Sequence, residues 1–167
     1  GIKASLKKYD LPVFEDRRQP VKNQPLISYV RNLLLIMSEG FKTDYIFRLV
    51  KTGLCALEEN EISEIENYVF TWDITGKKWL SDFTGNPEGF GGSFGEREKE
   101  RLEKINETRR KITEPLAALK EVFREATGKK CAELIYFYLR ENGADEALKS
   151  YAVALQEKGF TELAVEQ

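Results

Sequence analysis

Apolar residues recur in steps of three and four along the first third of the chain. From Leu26 to Met37 they follow this spacing, with further apolar residues between them, which predicts a largely buried helix. Pro25 suits the first turn of such a helix and Gly40 suits its end, so the helix is expected to run to about Glu39.

Two shorter helices are predicted next. Thr43 is a candidate N-cap for a helix over 44–51, which carries apolar residues along one face and is closed by a threonine–glycine pair. Residues 60–72 follow the same helical spacing, and glutamates enrich the early turns, as the helix dipole favours. The first half of the chain is therefore predicted to be helical.

The second half begins with an irregular stretch over 73–95. Within it, residues 85–95 carry five glycines and a proline, which predicts a mobile loop. A long helix is predicted over 96–127, where Pro115 is expected to kink or divide it and Gly128 to end it.

Two more helices are predicted over 131–141 and 144–158, separated by the helix-ending pair Asn142 and Gly143. A further element is predicted to begin near Thr161.

The first residues complete the predicted architecture. Residues 5–9 look like the end of a helix, and residues 11–14 like a short strand at a sheet edge, because that stretch contains a proline. The expected fold is one mainly-α domain over 1–167. It is an irregular, orthogonal bundle of six or seven helices with one short N-terminal strand.

Composition narrows the classes of function. The 167 residues carry 26 basic and 28 acidic side chains, a net charge of −2, whereas a dedicated nucleic-acid binder usually has a basic excess. There is no histidine, which removes the commonest general base and metal ligand. Cys55 and Cys131 are interpreted as reduced core residues, which indicates a reducing, cytoplasmic compartment. The apolar run over 33–37 is far too short to span a membrane.

Motifs for phosphate or metal chemistry are weak. Residues 75–78 contain a Gly-Lys pair but lack the upstream glycine and the following hydroxyl of an ATP-binding P-loop. The glutamates over 58–66 could bind Mg²⁺ in pairs, but a solvated acidic helix face explains them equally well. The sequence predicts no catalytic residue and no metal site.

Basic residues in three places are candidates for DNA contact, because lysine and arginine neutralise phosphates and an exposed indole can stack on a base. Each has a structural alternative: the tryptophan can be a core residue, and the two basic residues over 48–51 can pair with Glu64 or Glu66. The candidates are Arg48, Lys51, Lys77, Lys78, Trp79, Arg109, Arg110 and Lys111.

Three segments carry a resemblance to a known family: residues 47–54 (FRLVKTGL), 65–69 (IENYV) and 76–79 (GKKW). Their wording and spacing resemble the AddB (RexB) subunit of bacterial AddAB-type helicase–nucleases. Residues 11–26 and 105–116 contain further segments that look like the family. The chain departs from the family pattern at several positions: Val13, Gln24, Phe70, Trp72 and Asp73.

The resemblance implies a function for the longer protein. It suggests an inserted accessory domain like that of UvrD-like helicases, excised from a longer subunit, with residues 1–14 as a remnant of the helicase lobe. That family works with an AddA-type partner subunit on DNA ends, single-stranded or forked, during double-strand break repair. The resemblance places ATP, Mg²⁺ and an iron–sulfur cluster elsewhere in the subunit, and no catalytic residue carries over to this chain.

Two hypotheses follow. The first is an accessory domain that supports DNA handling or subunit contacts. The second is a protein-interaction module with no DNA contact. An exposed, jointly basic surface from Lys51, Lys77, Lys78 and residues 109–111 would favour the first, whereas scattered or ion-paired positions would favour the second.

Overall fold

A computed structural model of the chain describes residues 24–157. The mainly-α prediction is confirmed: this part of the chain holds six α-helices, one 3-10 turn and no strand. The predicted elements over 5–9, over 11–14 and from Thr161 lie outside the described residues. The helices are α1 (Pro25–Glu39), α2 (Thr43–Val50), α3 (Glu59–Thr71), α4 (Glu96–Phe123), α5 (Gly128–Glu141) and α6 (Ala144–Glu157), and the 3-10 turn spans Gly76–Leu80.

Local signals explain where α1 and α3 begin and end. Pro25 occupies the start of α1, and Gly40, with a φ of 93°, ends it while its N–H donates to the Ile36 carbonyl at 3.0 Å. In α3 the backbone N–H of Glu58 donates to the Glu61 carboxylate at 2.9 Å, which satisfies a free donor at the start of the helix.

The core lies between α1, α2, α3 and α4. Aromatic side chains from the 3-10 turn and the residues after it fill its centre: Phe83 stacks on Tyr68 with ring centroids 4.9 Å apart, and Trp79 meets both Phe83 and Phe47 edge-on at 5.9 Å. The stretch over 73–95 therefore contributes to the core although most of it is irregular.

Three local predictions in this region are wrong. Thr43 does not cap α2: its hydroxyl donates to the carbonyl of Ile74 and accepts from Trp79 Nε1 at 3.1 Å. Pro115 does not divide the long helix, which continues through it from Glu96 to Phe123. Gly128 does not end that helix but begins α5.

The glycine-rich segment over 85–95 is held by contacts near its start. The Gly85 N–H donates to the Tyr68 hydroxyl at 2.8 Å, and Trp72 Nε1 donates to the Asn86 carbonyl at 3.1 Å. A Cβ at Gly85 would lie 2.4 Å from the Trp72 ring, so no other residue fits there. Mobility of this segment stays a prediction.

The last two helices form a hairpin on α4. Asn142 caps α5 and Gly143 adopts a φ of 72°, as the sequence predicted for this pair. Tyr138 and Ala144 are buried in the core, whereas Tyr136 and Phe137 are 56% and 53% exposed. The hairpin thus buries one face and leaves two adjacent aromatic rings in solvent.

Candidate nucleic-acid and partner interface

The basic candidates on α2 are both ion-paired. Arg48 binds Asp44 on its own helix, with Nη2 and Oδ2 3.0 Å apart. Lys51 binds Glu66, which projects from α3. The structural alternative that the sequence offered is therefore confirmed for Lys51, whereas Arg48 takes a different carboxylate from the two expected.

Arg109 is a buried structural residue. Its side chain is 6% exposed, and it donates to the Trp79 carbonyl at 3.2 Å, to Asn106 Oδ1 at 3.2 Å and to the Asp82 carboxylate. The guanidinium also lies 5.7 Å from the centre of the Phe83 ring. Arg109 therefore holds the 3-10 turn against α4 and presents almost no charge to solvent.

The next two basic residues reach in different directions. Arg110 pairs with Glu103 at 2.5 Å, and this hydrogen bond raises the pKa of the guanidinium. Lys111 pairs with Glu61 on α3 at 2.5 Å, which raises the pKa of the ammonium and lowers the pKa of the carboxyl. The three consecutive basic residues therefore form three separate contacts rather than one basic patch.

The turn Gly76–Leu80 holds the remaining candidates. Trp79 is fully buried, which is the core alternative, so its indole cannot stack on a base in this conformation. Lys78 donates to the Asp73 carbonyl at 2.7 Å. Lys77 is exposed, and the structure records no ion pair for it among residues 24–157. Lys77 and Lys78 are the two candidates that keep an exposed charge without a carboxylate partner.

Arg101 is a residue that the sequence reasoning missed. It donates to Glu64 on α3 through two nitrogens, at 2.7 and 2.9 Å, and to Glu88 in the glycine-rich segment. One guanidinium thus joins α3, α4 and the segment over 85–95. The signal was hidden because i,i+4 spacing shows only partners on the same helix.

A second missed feature is the polar cluster of Tyr29, Cys55 and Tyr138, which lines a cavity of about 360 Å³. The Cys55 thiol lies 4.0 Å from the Tyr29 hydroxyl, and burial raises the pKa of Cys55 to about 11. Burial also raises the pKa of both tyrosines. Both cysteines are free, and Cys55 belongs to the core environment rather than to a reactive site.

Two searches over the described residues gave no site or span. Residues 24–157 hold no group of three or more histidine, cysteine or acidic side chains placed to bind a metal ion. Within the same residues, every helix is too short or too polar to cross a membrane.

Comparison with known proteins gives one consistent set of relatives. Proteins named as the B subunit of an ATP-dependent helicase/deoxyribonuclease match from Clostridium tetani (32% identical over 163 residues, 94% of this chain) and Ruminiclostridium cellulolyticum (32% over 163 residues, 95%). The protein of the same name from Clostridium novyi is 28% identical over 167 residues, 99% of this chain. The resemblance to AddB is confirmed. No family model matches the chain.

The match covers one segment of AddB. The chain spans 14% of the length of these relatives. Segments 47–54, 65–69 and 76–79, which carried the resemblance, lie on α2, on α3 and in the 3-10 turn. In this AddB segment their residues pack together around Trp79.

Proposed function

We propose that this chain is a non-catalytic helical accessory segment of AddB that acts through protein contacts. The parent enzyme would unwind and resect DNA ends in double-strand break repair, in the cytoplasm, together with an AddA-type subunit. ATP, Mg²⁺ and an iron–sulfur cluster would be bound outside this segment. Near-complete matching of the chain to the B subunits of helicase/deoxyribonucleases supports the parent role.

The observation that carries the proposal is the pairing of the basic candidates. Protein cations increase DNA affinity mainly by displacing counterions from phosphates, and a cation already bound to a carboxylate must first lose that partner. Five of the eight candidates are bound in this way: Arg48 to Asp44, Lys51 to Glu66, Arg109 to Asp82, Arg110 to Glu103 and Lys111 to Glu61. Ion-paired positions of this kind are expected of a protein-interaction module.

Exposed aromatic rings support protein contact as well. Tyr136 and Phe137 lie side by side on α5, with ring centroids 5.8 Å apart. Both are more than half exposed, and aromatic surfaces of this kind are common where proteins meet. In the complete subunit we propose that this pair packs on a neighbouring part of the complex.

The test is binding of the chain to labelled single-stranded and forked DNA across a salt series. We expect no binding above background at low salt. Binding that weakens steeply as salt rises, and that fails when Lys77 and Lys78 are changed to glutamate, would overturn the proposal. Lys129→Glu with Lys130→Glu is the matched control, because this second exposed lysine pair lies on α5.

A positive test uses the complete subunit with its partner subunit. We expect Tyr136→Ser with Phe137→Ser to reduce recovery of the assembled complex in size-exclusion chromatography. The lysine-pair control on α5 should leave it unchanged. Normal assembly of the serine variant would show that the two rings do not contact the complex.

A second candidate function is a phosphate contact at the 3-10 turn. Lys77 and Lys78 are adjacent and exposed, and Lys78 binds a backbone carbonyl, so its charge is not neutralised by a carboxylate. The salt series above decides between the two, because only this candidate predicts loss of binding on reversing these charges.

A further inference from the structure

An apolar groove lies between α1 and the C-terminal part of α4. Its volume is about 650 Å³, and Ile27, Val30, Leu34 and Phe123 form much of its surface. Ile27 and Leu34 are 40% and 42% exposed, which is unusual for leucine and isoleucine side chains grouped on one helix face. This face therefore has the character of a surface that another segment covers.

The rim of the groove is basic. Arg31, Lys120 and Arg124 line it, and the residues that line it include no carboxylate within the described part of the chain. Lys120 donates to the carbonyls of Ile36 at 2.8 Å and Met37 at 2.5 Å, so its ammonium is fixed beside the end of α1. A fitting occupant has apolar side chains on one face and carboxylates beside them.

The chain contains such a sequence directly after the described residues. Residues 158–167 read KGFTELAVEQ. Phe160, Leu163 and Ala164 have the i, i+3, i+4 spacing of one helix face, and Glu162 and Glu166 supply carboxylates beside it. The sequence thus complements the groove in both shape class and charge.

The path of the chain brings this segment toward the groove. α5 returns along α4, since Tyr138 and Asn142 line one cavity with Ile112. The short connection at Asn142 and Gly143 reverses the chain again into α6, and both helices have 14 residues. The end of α6 therefore lies toward the Phe123 end of α4, where the groove is, and ten residues reach about 30 Å when extended.

We propose that residues 158–167 occupy this groove, with Phe160 and Leu163 on its apolar surface and Glu162 and Glu166 near its basic rim. The face of α1 is then an internal contact of this chain, and the exposed aromatic pair on α5 remains the surface open to the rest of the complex. This inference does not depend on the proposed function.

The test is disulfide formation in the complete 167-residue chain. Cys55 and Cys131 are changed to serine, and Leu34→Cys is combined with Leu163→Cys. We expect an intramolecular disulfide under mild oxidation, independent of protein concentration. It should form at least about ten-fold faster than in the control, because the two thiols share a high effective concentration. Ile27→Cys with Leu163→Cys is the second pair, in case the first variant fails to fold by circular dichroism.

The matched control pairs Glu100→Cys with Leu163→Cys. Position 100 is exposed on α4 and lies about 35 Å along the helix from Phe123. Equal rates for the test and control pairs would overturn the proposal, as would reactive thiols that form no disulfide. A disulfide that appears only between two chains would overturn it too, because it would place a second copy in the groove.

Discussion

Asn106 on α4 is the residue whose loss should show most clearly how the 3-10 turn is held. Its side chain accepts from the backbone N–H of Phe83 at 2.8 Å and donates to the carbonyl of the same residue at 3.0 Å. It also accepts from Arg109 Nε at 3.2 Å. Asn106 and Phe83 are each 4% exposed, so Asn106→Ala leaves two buried backbone groups without their partner.

The expected cost follows from those two groups. A buried donor or acceptor left unsatisfied costs about 1–3 kcal/mol, so the pair gives about 2–6 kcal/mol. Alanine recovers about 0.5 kcal/mol through its higher helix propensity. Because Asp82 beside Phe83 is exposed, water can reach one side of the gap, and we expect about 3 kcal/mol of lost stability. For a chain of this length that lowers the melting temperature by about 6–12 °C.

Urea unfolding followed by tryptophan fluorescence measures this effect, since Trp79 packs against Phe83. Asn67→Ala is the matched control: Asn67 is exposed on α3, so only the gain in helix propensity should appear, and stability should rise by up to about 0.5 kcal/mol. A loss of under about 1 kcal/mol for Asn106→Ala would refute the reasoning, and so would a gain like that of the control.

Three further predictions concern other contacts. Arg101→Lys cannot span both acidic partners, so the amide protons around Glu88 should exchange faster with solvent in hydrogen-exchange mass spectrometry. Cys55, with a pKa of about 11, should react with iodoacetamide at pH 8 about a hundred times more slowly than in the urea-unfolded chain. Glu61 has a lowered pKa in the folded state, so its pairing stabilises the fold at neutral pH, and that contribution disappears as the pH falls below 4.5. Lys111→Met should return the carboxyl toward its ordinary pKa in an NMR titration.

Each of these has a result that contradicts it. Unchanged exchange around Glu88 would mean that Arg101 does not hold the glycine-rich segment. Equal alkylation rates in the folded and unfolded chain would mean that Cys55 is not shielded. An unmoved Glu61 titration in the Lys111 variant would assign the lowered pKa to another partner.

Much of the helical fold could be predicted because its signals are local. Pro25 and Gly40 mark α1 within one turn of each end, and the prediction matched the structure. Thr43 failed as a cap because its hydroxyl binds Ile74 and Trp79, which lie 31 and 36 residues away. No pattern within a few residues of Thr43 reports those partners.

The candidate site was harder because charge alone does not show which side chains are buried. Arg109 stands in a run of three basic residues, yet only Arg109 is buried. Its position on the helix was informative: it lies four residues after Ile105 and three before Ile112, within the apolar stripe of α4. Helical phase could therefore have separated it from Arg110 and Lys111, whereas their carboxylate partners required the tertiary structure.

The ion pairs between α3 and α4 determine more than the charge of the surface. Glu61 binds Lys111 and Glu64 binds Arg101, so two carboxylates of α3 are held between two cations of α4. A slip of α4 by one turn in either direction would bring Glu107 or Glu114 toward Glu61 in place of Lys111. Exposed pairs of this kind add little stability, but like charges in the slipped arrangements repel. The pairs thus select one crossing position for the two helices, and Glu61 and Lys111 should tolerate a reversal of charge together but not singly.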